Sequence, residues 1–174
     1  MKDRNIYLIG FMGVGKTSVS KELSRKLHIK VYEIDEIIQE EQGRSVSKIF
    51  GESGEIFFRK EETRILHQIS NNKNCVVSTG GGIILKEENV EIMRKTGVII
   101  LLKATSQTIY NRLKDTDSRP ILKDNMNVEF IQSLMDKRSR FYEISKDIEI
   151  ITDDKSIGEI CDDIIERLEI NYED

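Results

Sequence analysis

The octapeptide GFMGVGKT, residues 10–17, constrains the fold of this chain more than any other feature of the sequence. It matches the pattern G-x-x-x-x-G-K-[ST] in full. It follows the apolar run NIYLIG (5–10) and precedes a segment in which Val19, Leu23 and Leu27 recur at helical spacing. The motif therefore predicts a strand, a tight glycine-rich loop and a helix, in that order.

Such a loop is typical of phosphate binding. Its glycines let successive backbone N–H groups turn inward around phosphate oxygens, and the helix N-terminus adds partial positive charge. We expect Lys16 to reach the β- and γ-phosphates of a nucleotide and the Thr17 hydroxyl to ligate Mg²⁺. A plain glycine-rich turn is the alternative, which the flanking strand and helix disfavour. The predicted nucleotide-binding residues of the loop are Gly13, Val14, Gly15, Lys16, Thr17 and Ser18.

Further short apolar runs predict the other strands: KVYEI (30–34), CVVS (75–78), GVIILL (97–102) and IEIIT (148–152). Stretches with helical spacing lie among them, notably from about 54 to 71 and from 157 to 168. Alternating strands and helices are typical of an α/β fold with a parallel sheet and helices on both faces. We expect one domain spanning residues 1–174, because the length suits a single core and no internal repeat or linker is present.

Charge and composition exclude several classes of partner. The net charge of −4 gives no general attraction to nucleic acid or anionic membranes, and no apolar stretch approaches the length of a membrane span. The first apolar run is too short and glycine-interrupted for a signal peptide. Cys75 and Cys161 have no metal-type spacing and are expected to be buried thiols in a reducing compartment. We expect a cytoplasmic monomer with no nucleic-acid or membrane partner.

Two acidic residues stand out in the second predicted strand. Glu33 and Asp35 are two residues apart in VYEIDEI (31–37), so on a strand their carboxylates face the same side. A strand buried on both faces does not carry a carboxylate without a reason. A solvated sheet edge is one interpretation, and an acidic pair facing bound phosphates is the other.

The sequence STGGG (78–82) ends the third predicted strand. Ligands of open α/β sheets bind outside the carboxyl ends of the strands, and bare glycine backbone can approach a ligand closely. A flexible turn before the helix near residue 86 is the alternative. No aspartate closes CVVS (75–78), so the acidic metal ligand usual at this point is missing, and Ser78 is assigned a weaker, hydroxyl-type role near the metal.

The polar segment KDTDSRPILKDNMN (114–127) is too long for a tight connection, which is typical of a functional lid or a disordered loop. Pro120 restrains Arg119 to extended conformations, and an arginine on a closing lid stabilises charge on a transferring phosphoryl group. A surface arginine in a turn is the alternative.

Three further arginines lie in segments of helical pattern. Arg59 occurs in EIFFRKEE, and Arg138 and Arg140 occur in DKRSRFYEI. Each suits either a solvated helix face or a fork that binds a carboxylate or phosphate group.

Taken together, these motifs resemble the shikimate kinase family. The set comprises GFMGVGKT, the acidic pair of YEIDEII, FR at 58–59, TGGG at 79–82, RP at 119–120 and R-x-x-x-Y at 138–142. Its order and spacing match that family as far as ITDDKSI near residue 156, which is nearly the whole chain. Nucleoside monophosphate kinases and gluconate kinase are similar in fold and share the P-loop and lid, but not this set.

The resemblance implies a three-layer P-loop fold with a central five-stranded parallel sheet, a substrate-binding region near 33–62 and a lid near 112–126. It also implies a kinase that uses ATP and Mg²⁺. Such an enzyme transfers the γ-phosphoryl group to the 3-hydroxyl of shikimate, on the route to chorismate and the aromatic amino acids.

On the acceptor side, the resemblance implies that Asp35 holds the shikimate hydroxyls and orients the attacking one. Arg59 and Arg138 clasp the carboxylate of the substrate. The ring is contacted by the backbone of a glycine run, Gly80, Gly81 and Gly82.

On the donor side, the resemblance implies that Lys16 and the lid residue Arg119 act on the phosphates, and these two join Asp35 as the catalytic residues. Arg112 matches the arginine that stacks on adenine. The loop from 152 to 155, including Lys155, borders the adenine.

Two positions depart from the family pattern. The family usually has Asp-x-Asp where this chain has Glu33 and Asp35, and the first acid of that pair lies near Mg²⁺ through water. Glu33 keeps the charge and adds a methylene. The family also often has proline where this chain has Arg140, which leaves both Arg138 and Arg140 as candidates for the carboxylate.

An active shikimate kinase is the function that we predict. The alternative enzyme is another small-molecule kinase of the same fold, acting on gluconate or a nucleoside monophosphate. A third class is a non-catalytic nucleotide-binding module. Its expected signature is a damaged P-loop or a missing acceptor acid, and the sequence has neither.

Overall fold

A five-stranded sheet forms the centre of the structure, a computed structural model that describes residues 3–114 and 127–168. The strands are β1 (Asn5–Ile9), β2 (Lys30–Glu33), β3 (Cys75–Ser78), β4 (Gly97–Lys103) and β5 (Ile148–Ile151). All pairs are parallel, in the spatial order β2-β3-β1-β4-β5. The predicted parallel sheet is confirmed, and each strand lies within a residue or so of the predicted run.

Helices cover both faces of the sheet. Within the described residues they are α1 (Lys16–Leu27), α2 (Ile34–Gln42), α3 (Val46–Ser70), α4 (Glu87–Thr96), α5 (Ser106–Leu113), α6 (Val128–Ser145) and α7 (Ile157–Arg167), with a 3₁₀ turn at Ile83–Leu85. Helices α2, α3 and α4 pack on one face of the sheet, whereas α1, α5 and α7 pack on the other. The result is the predicted three-layer α/β architecture.

The central strand β1 shows why the apolar runs are continuous. Ile6 and Leu8 pack into the core beneath α1 and α7, whereas Tyr7 and Ile9 pack into the opposite core beneath α3 and α4. Successive strand residues point to opposite faces, so a strand covered on both sides needs apolar residues throughout. All four side chains are at most 1% exposed.

Four of the seven described helices begin at a side-chain cap, whereas α1, α2 and α4 do not. The backbone N–H groups that start α3, α5, α6 and α7 are capped by Ser45, Thr105, Asn127 and Ser156 respectively. Among the described residues no side chain caps α1, which follows Gly15 in a left-handed conformation. The amides at the start of α1 are therefore left for a ligand.

Two sequence predictions were wrong in detail. β2 ends at Glu33, and Asp35 lies in the first turn of α2, so the two acids do not share one face of a strand. The reason is that Ile34, Ile37 and Ile38 all pack into one core cluster, whereas on a strand Ile37 would face away from the other two. The helix expected from about residue 54 begins at Val46 and is kinked at Gly54 (φ 81°).

The prediction of two buried thiols is confirmed, since Cys75 and Cys161 are both buried and free. Burial raises the pKa of each thiol to about 11, so both stay protonated and inert at neutral pH. In the described part of the chain no helix has the length and apolar character to span a membrane.

Candidate active site

The glycine-rich loop lies at the carboxyl edge of the sheet, where β1 ends. Gly10 adopts φ 146°, and a Cβ there would lie 2.4 Å from the carbonyl oxygen of Leu102 on β4, so only glycine lets the chain pass. Gly15 adopts φ 100° with open space where its Cβ would project. The loop thus packs tightly against the sheet on one side and leaves bare backbone on the other.

Lys16 folds back across this loop. Its Nζ donates to the carbonyl oxygens of Gly10 at 2.7 Å and Phe11 at 3.0 Å. These carbonyls hold the ammonium group at the mouth of the loop, beside the uncapped amides of α1. An incoming phosphate therefore meets a cation and several N–H donors together.

A cleft of about 1700 Å³ opens above the loop. It is lined by the predicted nucleotide-binding residues Gly13, Gly15, Lys16, Thr17, Ser18 and Arg112, together with Glu33, Asp35 and Ser78. The side chain of Val14 is instead buried in the core, so this residue presents only its backbone to the loop.

Arg112 connects the loop to the segment that follows β5. Its guanidinium donates to the carbonyl oxygens of Gly13 at 3.4 Å and Val14 at 3.2 Å. The same group contacts the hydroxyl and carbonyl oxygens of Thr152 at 3.3 and 3.0 Å. Arg112 and Thr152, which the resemblance assigns separately to the adenine, are therefore in contact. Lys155, by contrast, pairs with Asp163 at 2.5 Å and does not line the cleft.

Glu33 lies beneath the cleft, bound to two hydroxyls of α1. Thr17 Oγ1 donates to Glu33 Oε2 at 3.0 Å, and Ser20 Oγ donates to Glu33 Oε1. Glu33 is 8% exposed and faces Ser78 across the β2–β3 pair. These hydrogen bonds explain why a buried strand ends in a carboxylate.

The oxygen atoms at this point suit a hard divalent cation. A hydroxyl and a carboxylate, Thr17 and Glu33, lie side by side at the end of the P-loop. Within residues 3–114 and 127–168, however, no cluster of three or more His, Cys, Asp or Glu side chains is able to hold a metal by itself. The set fits Mg²⁺, which binds through one or two protein oxygens, water and substrate phosphates.

A second pocket, of about 500 Å³, adjoins the first. Every residue predicted to bind the acceptor lines it: Asp35, Arg59, Gly80, Gly81, Gly82 and Arg138. Met12, Asp35 and Gly81 line both pockets, so the two spaces meet beside Asp35.

Arg59 is not the solvated helix arginine that its isolated context suggests. Its guanidinium donates to Glu55 at 2.9 and 3.1 Å and to Glu62 at 2.5 Å. It also lies 5.8 and 5.6 Å from the ring centres of Phe50 and Phe58. Burial opposes its charge, but attraction to Glu62 and Glu55 prevails and raises the pKa of Arg59. The cation is thereby fixed at the pocket wall.

Glu62 is the residue of this pocket that sequence reasoning missed. It is fully buried, and its Oε1 has no hydrogen-bond partner in the described part of the chain. A Cβ built on Gly80 would lie 2.1 Å from this oxygen and 2.9 Å from Asp35 Oδ1, so the two carboxylates are within about 5 Å of each other. Burial raises the pKa of Glu62 to about 7; Arg59 opposes the shift and Asp35 adds to it.

Helix α6 directs only one of the two candidate arginines, Arg138, into the acceptor pocket. Arg138 Nη1 donates to the carbonyl oxygen of Gly81 at 3.4 Å, and its guanidinium lies 6.0 Å from the ring centre of Phe11. One turn later, Tyr142 donates to the same carbonyl at 2.5 Å. Arg140 is exposed and does not line the pocket, because two residues along a helix reverse the direction of the side chain. Arg119 lies outside the described residues.

Comparison with known proteins gives concordant results. The family model for shikimate kinase matches residues 12–169. The chain is 41% identical over 165 residues to the shikimate kinase of Persephonella marina, covering 95% of this chain and 99% of the relative. It is 43% identical over 150 residues to that of Caldicellulosiruptor bescii, covering 86% and 87%.

Solved structures agree with these sequence matches. The shikimate kinase of Bacteroides thetaiotaomicron superimposes with a TM-score of 0.88 at 31% identity, covering 96% of this chain and 99% of the other. The shikimate kinase of Acinetobacter baumannii in complex with shikimate superimposes with a TM-score of 0.90 at 28% identity, covering 95% and 92%.

Proposed function

The chain belongs to the shikimate kinase family, and on that premise we propose that its two adjoining pockets hold ATP and shikimate for direct phosphoryl transfer. The reaction moves the γ-phosphoryl group of ATP to the 3-hydroxyl of shikimate, giving shikimate 3-phosphate and ADP. The observation that carries this proposal is the junction of the pockets. Asp35 lines both, where an acceptor hydroxyl has to meet the terminal phosphate.

The acceptor pocket has the chemistry that shikimate requires. The substrate is a carboxylate that carries hydroxyl groups, so it needs cations at one end and a hydrogen-bond acceptor at the other. Arg59 and Arg138 supply the cations, and Asp35 supplies the acceptor. The glycine run at 80–82 brings bare backbone against the ring between them.

The donor cleft binds the nucleotide through the P-loop. Lys16 exchanges the carbonyls of Gly10 and Phe11 for the β- and γ-phosphates, and the amides of the loop and of Ser18 surround the phosphate oxygens. Arg112 places its guanidinium beside the loop for the adenine. The roles of Arg119 on the phosphates and of Lys155 at the adenine stay predictions.

Thr17 and Glu33 are the residues that we propose for Mg²⁺. A bound Mg²⁺ would supply positive charge to neutralise the phosphates during transfer. Thr17 provides its hydroxyl oxygen, and Glu33 accepts the proton of that hydroxyl at 3.0 Å, so the free lone pairs of Thr17 point to the cleft. Glu33 itself contributes to the Mg²⁺ site through a bridging water rather than as a direct ligand.

Asp35 completes the mechanism at the junction of the pockets. Phosphoryl transfer through a loose transition state asks chiefly for alignment and charge neutralisation, so Asp35 need not be a strong base. It accepts a hydrogen bond from the attacking hydroxyl, aligns that oxygen with the terminal phosphate and takes up its proton as the new bond forms.

A panel of acceptors in a coupled assay of ADP release tests the proposal. We expect turnover with shikimate and none above background with gluconate or AMP. Turnover with gluconate or AMP in place of shikimate would transfer the assignment to another kinase of this fold. Binding of ATP without turnover of any acceptor would favour a non-catalytic nucleotide-binding module.

Gly82→Ala is expected to raise the KM for shikimate about tenfold or more, because a displaced charged hydrogen bond is worth about 1.5–3 kcal/mol. A Cβ at Gly82 would lie 2.4 Å from Arg59 Nη2, while its φ of −108° suits alanine, so the effect is purely steric. The control is Gly51→Ala, in the same helix as Arg59, where an added Cβ meets open space. An unchanged KM in Gly82→Ala would contradict the role of Arg59.

The remaining expectations rest on composition. A single domain over residues 1–174, a monomeric state, a cytoplasmic location and the absence of nucleic-acid and membrane partners stay proposals. Size-exclusion chromatography with light scattering tests the monomer directly.

A further inference from the structure

Glu33 holds its carboxylate in a way that a shorter aspartate does not reproduce. Oε2 accepts from Thr17 at 3.0 Å, and Oε1 accepts from Ser20 one turn further along α1. Ser20 is fully buried and Glu33 is 8% exposed, so water does not replace either contact at low cost. The extra methylene of Glu33 gives the carboxylate the reach to accept from two hydroxyls on one helix face.

The hydroxyl proton of Ser20 has two acceptors within reach. One is the carboxylate of Glu33, and the other is the backbone carbonyl oxygen of Thr17 at 2.9 Å. A hydroxyl donates one proton at a time, and a bond to a charged acceptor is about twice as strong as a bond to a neutral one. The proton therefore goes to Glu33.

We propose that Ser20 is a positioning residue for the metal site, acting only through Glu33. This inference rests on the proposed function, since it concerns the ion that Thr17 ligates. Glutamate has one more rotatable bond than aspartate, so its carboxylate needs a second anchor to keep one oxygen on a fixed point. Ser20 anchors Oε1, which leaves Oε2 on the Thr17 hydroxyl. Thr17 then keeps its lone pairs directed at the ion.

Ser20 and Glu33 act as a unit, so the effect of changing one depends on the identity of the other. In Glu33→Asp the side chain is one methylene shorter, so we expect its carboxylate to reach at most one of the two hydroxyls. Ser20 is then disconnected from the metal site. Loss of the Ser20 hydroxyl is therefore expected to weaken metal binding when residue 33 is glutamate, and to leave it unchanged when residue 33 is aspartate. A double-mutant cycle measures this dependence.

The readout is the coupling between Mn²⁺ and ADP, measured by calorimetry as the ratio of ADP dissociation constants without and with Mn²⁺. We expect Ser20→Ala to reduce this ratio about tenfold, the scale found for groups that orient metal ligands. ADP affinity without Mn²⁺ stays unchanged, because Ser20 does not line the nucleotide cleft. In the Glu33→Asp background, Ser20→Ala is expected to change the ratio less than about twofold.

The matched control is Ser24→Ala. Ser24 lies on the same helix, and its hydroxyl donates to the carbonyl oxygen of Ile29 at 2.6 Å, away from Glu33. It removes a comparable hydrogen bond and leaves the coupling intact. Ser20→Cys keeps nearly the same volume with a weak donor, so it repeats the test if Ser20→Ala does not fold.

The outcomes separate the inference from the proposed function. Wild-type coupling that survives both Ser20 variants overturns the inference alone. An equal loss in the wild-type and Glu33→Asp backgrounds also overturns it, since Ser20 then acts independently of Glu33. Absence of any Mn²⁺ coupling in the wild-type chain overturns the metal site itself, and the inference with it.

Discussion

Asp35→Asn is expected to lower kcat at least about a hundredfold, the lower limit for loss of a group that takes a proton in the transition state. The substitution keeps the shape of the side chain and its place in the first turn of α2. It removes the negative charge that we propose aligns the attacking hydroxyl at the junction of the two pockets. The affinity for ATP is expected to change less than about threefold, because the P-loop supplies most of the contacts to phosphate.

Steady-state kinetics with both substrates varied, together with calorimetry of ADP binding, measures this effect. Glu40→Gln is the matched control, since Glu40 is an exposed acid of the same helix and lines neither pocket. It should leave kcat unchanged. Turnover of Asp35→Asn close to that of the control would exclude Asp35 from the chemical step.

The centre of the sheet was predictable because β1, β3 and β4 are buried on both faces. A continuous apolar run such as GVIILL predicts a buried strand without knowledge of its neighbours. β4 consists of that run and one further residue, Lys103. β2 was harder, since VYEIDEI fits a strand and a helix equally well over so few residues. The packing of Ile34, Ile37 and Ile38 into one core cluster is what favours α2, and that packing depends on α3 rather than on local preference.

In the acceptor pocket, too, some residues were predictable from motifs and others depend on tertiary packing. Its arginines and glycines were predicted from the family resemblance, and all of those residues line one pocket. The choice between Arg138 and Arg140 required the orientation of α6, which the sequence does not state. Glu62 was missed because FFRKEE offers adjacent acids, and only the approach of Gly80 and Asp35 distinguishes Glu62 from Glu61.

Glu62 should make the stability of the fold depend on pH in an unusual direction. Its pKa rises from an ordinary 4.5 to about 7 on folding, chiefly through burial. Between those values the folded chain holds a proton that the unfolded chain has released. The free energy of unfolding therefore falls as pH rises from about 4.5 to about 7, by about 3 kcal/mol from this group alone. Most buried, salt-bridged carboxylates act in the opposite direction.

Glu62→Gln is neutral at every pH and should remove this dependence. Urea unfolding of both chains from about pH 5 to about pH 8 gives a difference that cancels the other titrating groups, and this difference should move in favour of the variant as pH rises. Glu88→Gln is the control, because hydrogen bonds from Lys86 and His67 lower the pKa of Glu88. This carboxyl is ionised in both the folded and the unfolded chain throughout this pH range, so its difference should stay flat. A flat difference for Glu62→Gln would mean that Glu62 is ionised in the folded chain at pH 5, held so by Arg59.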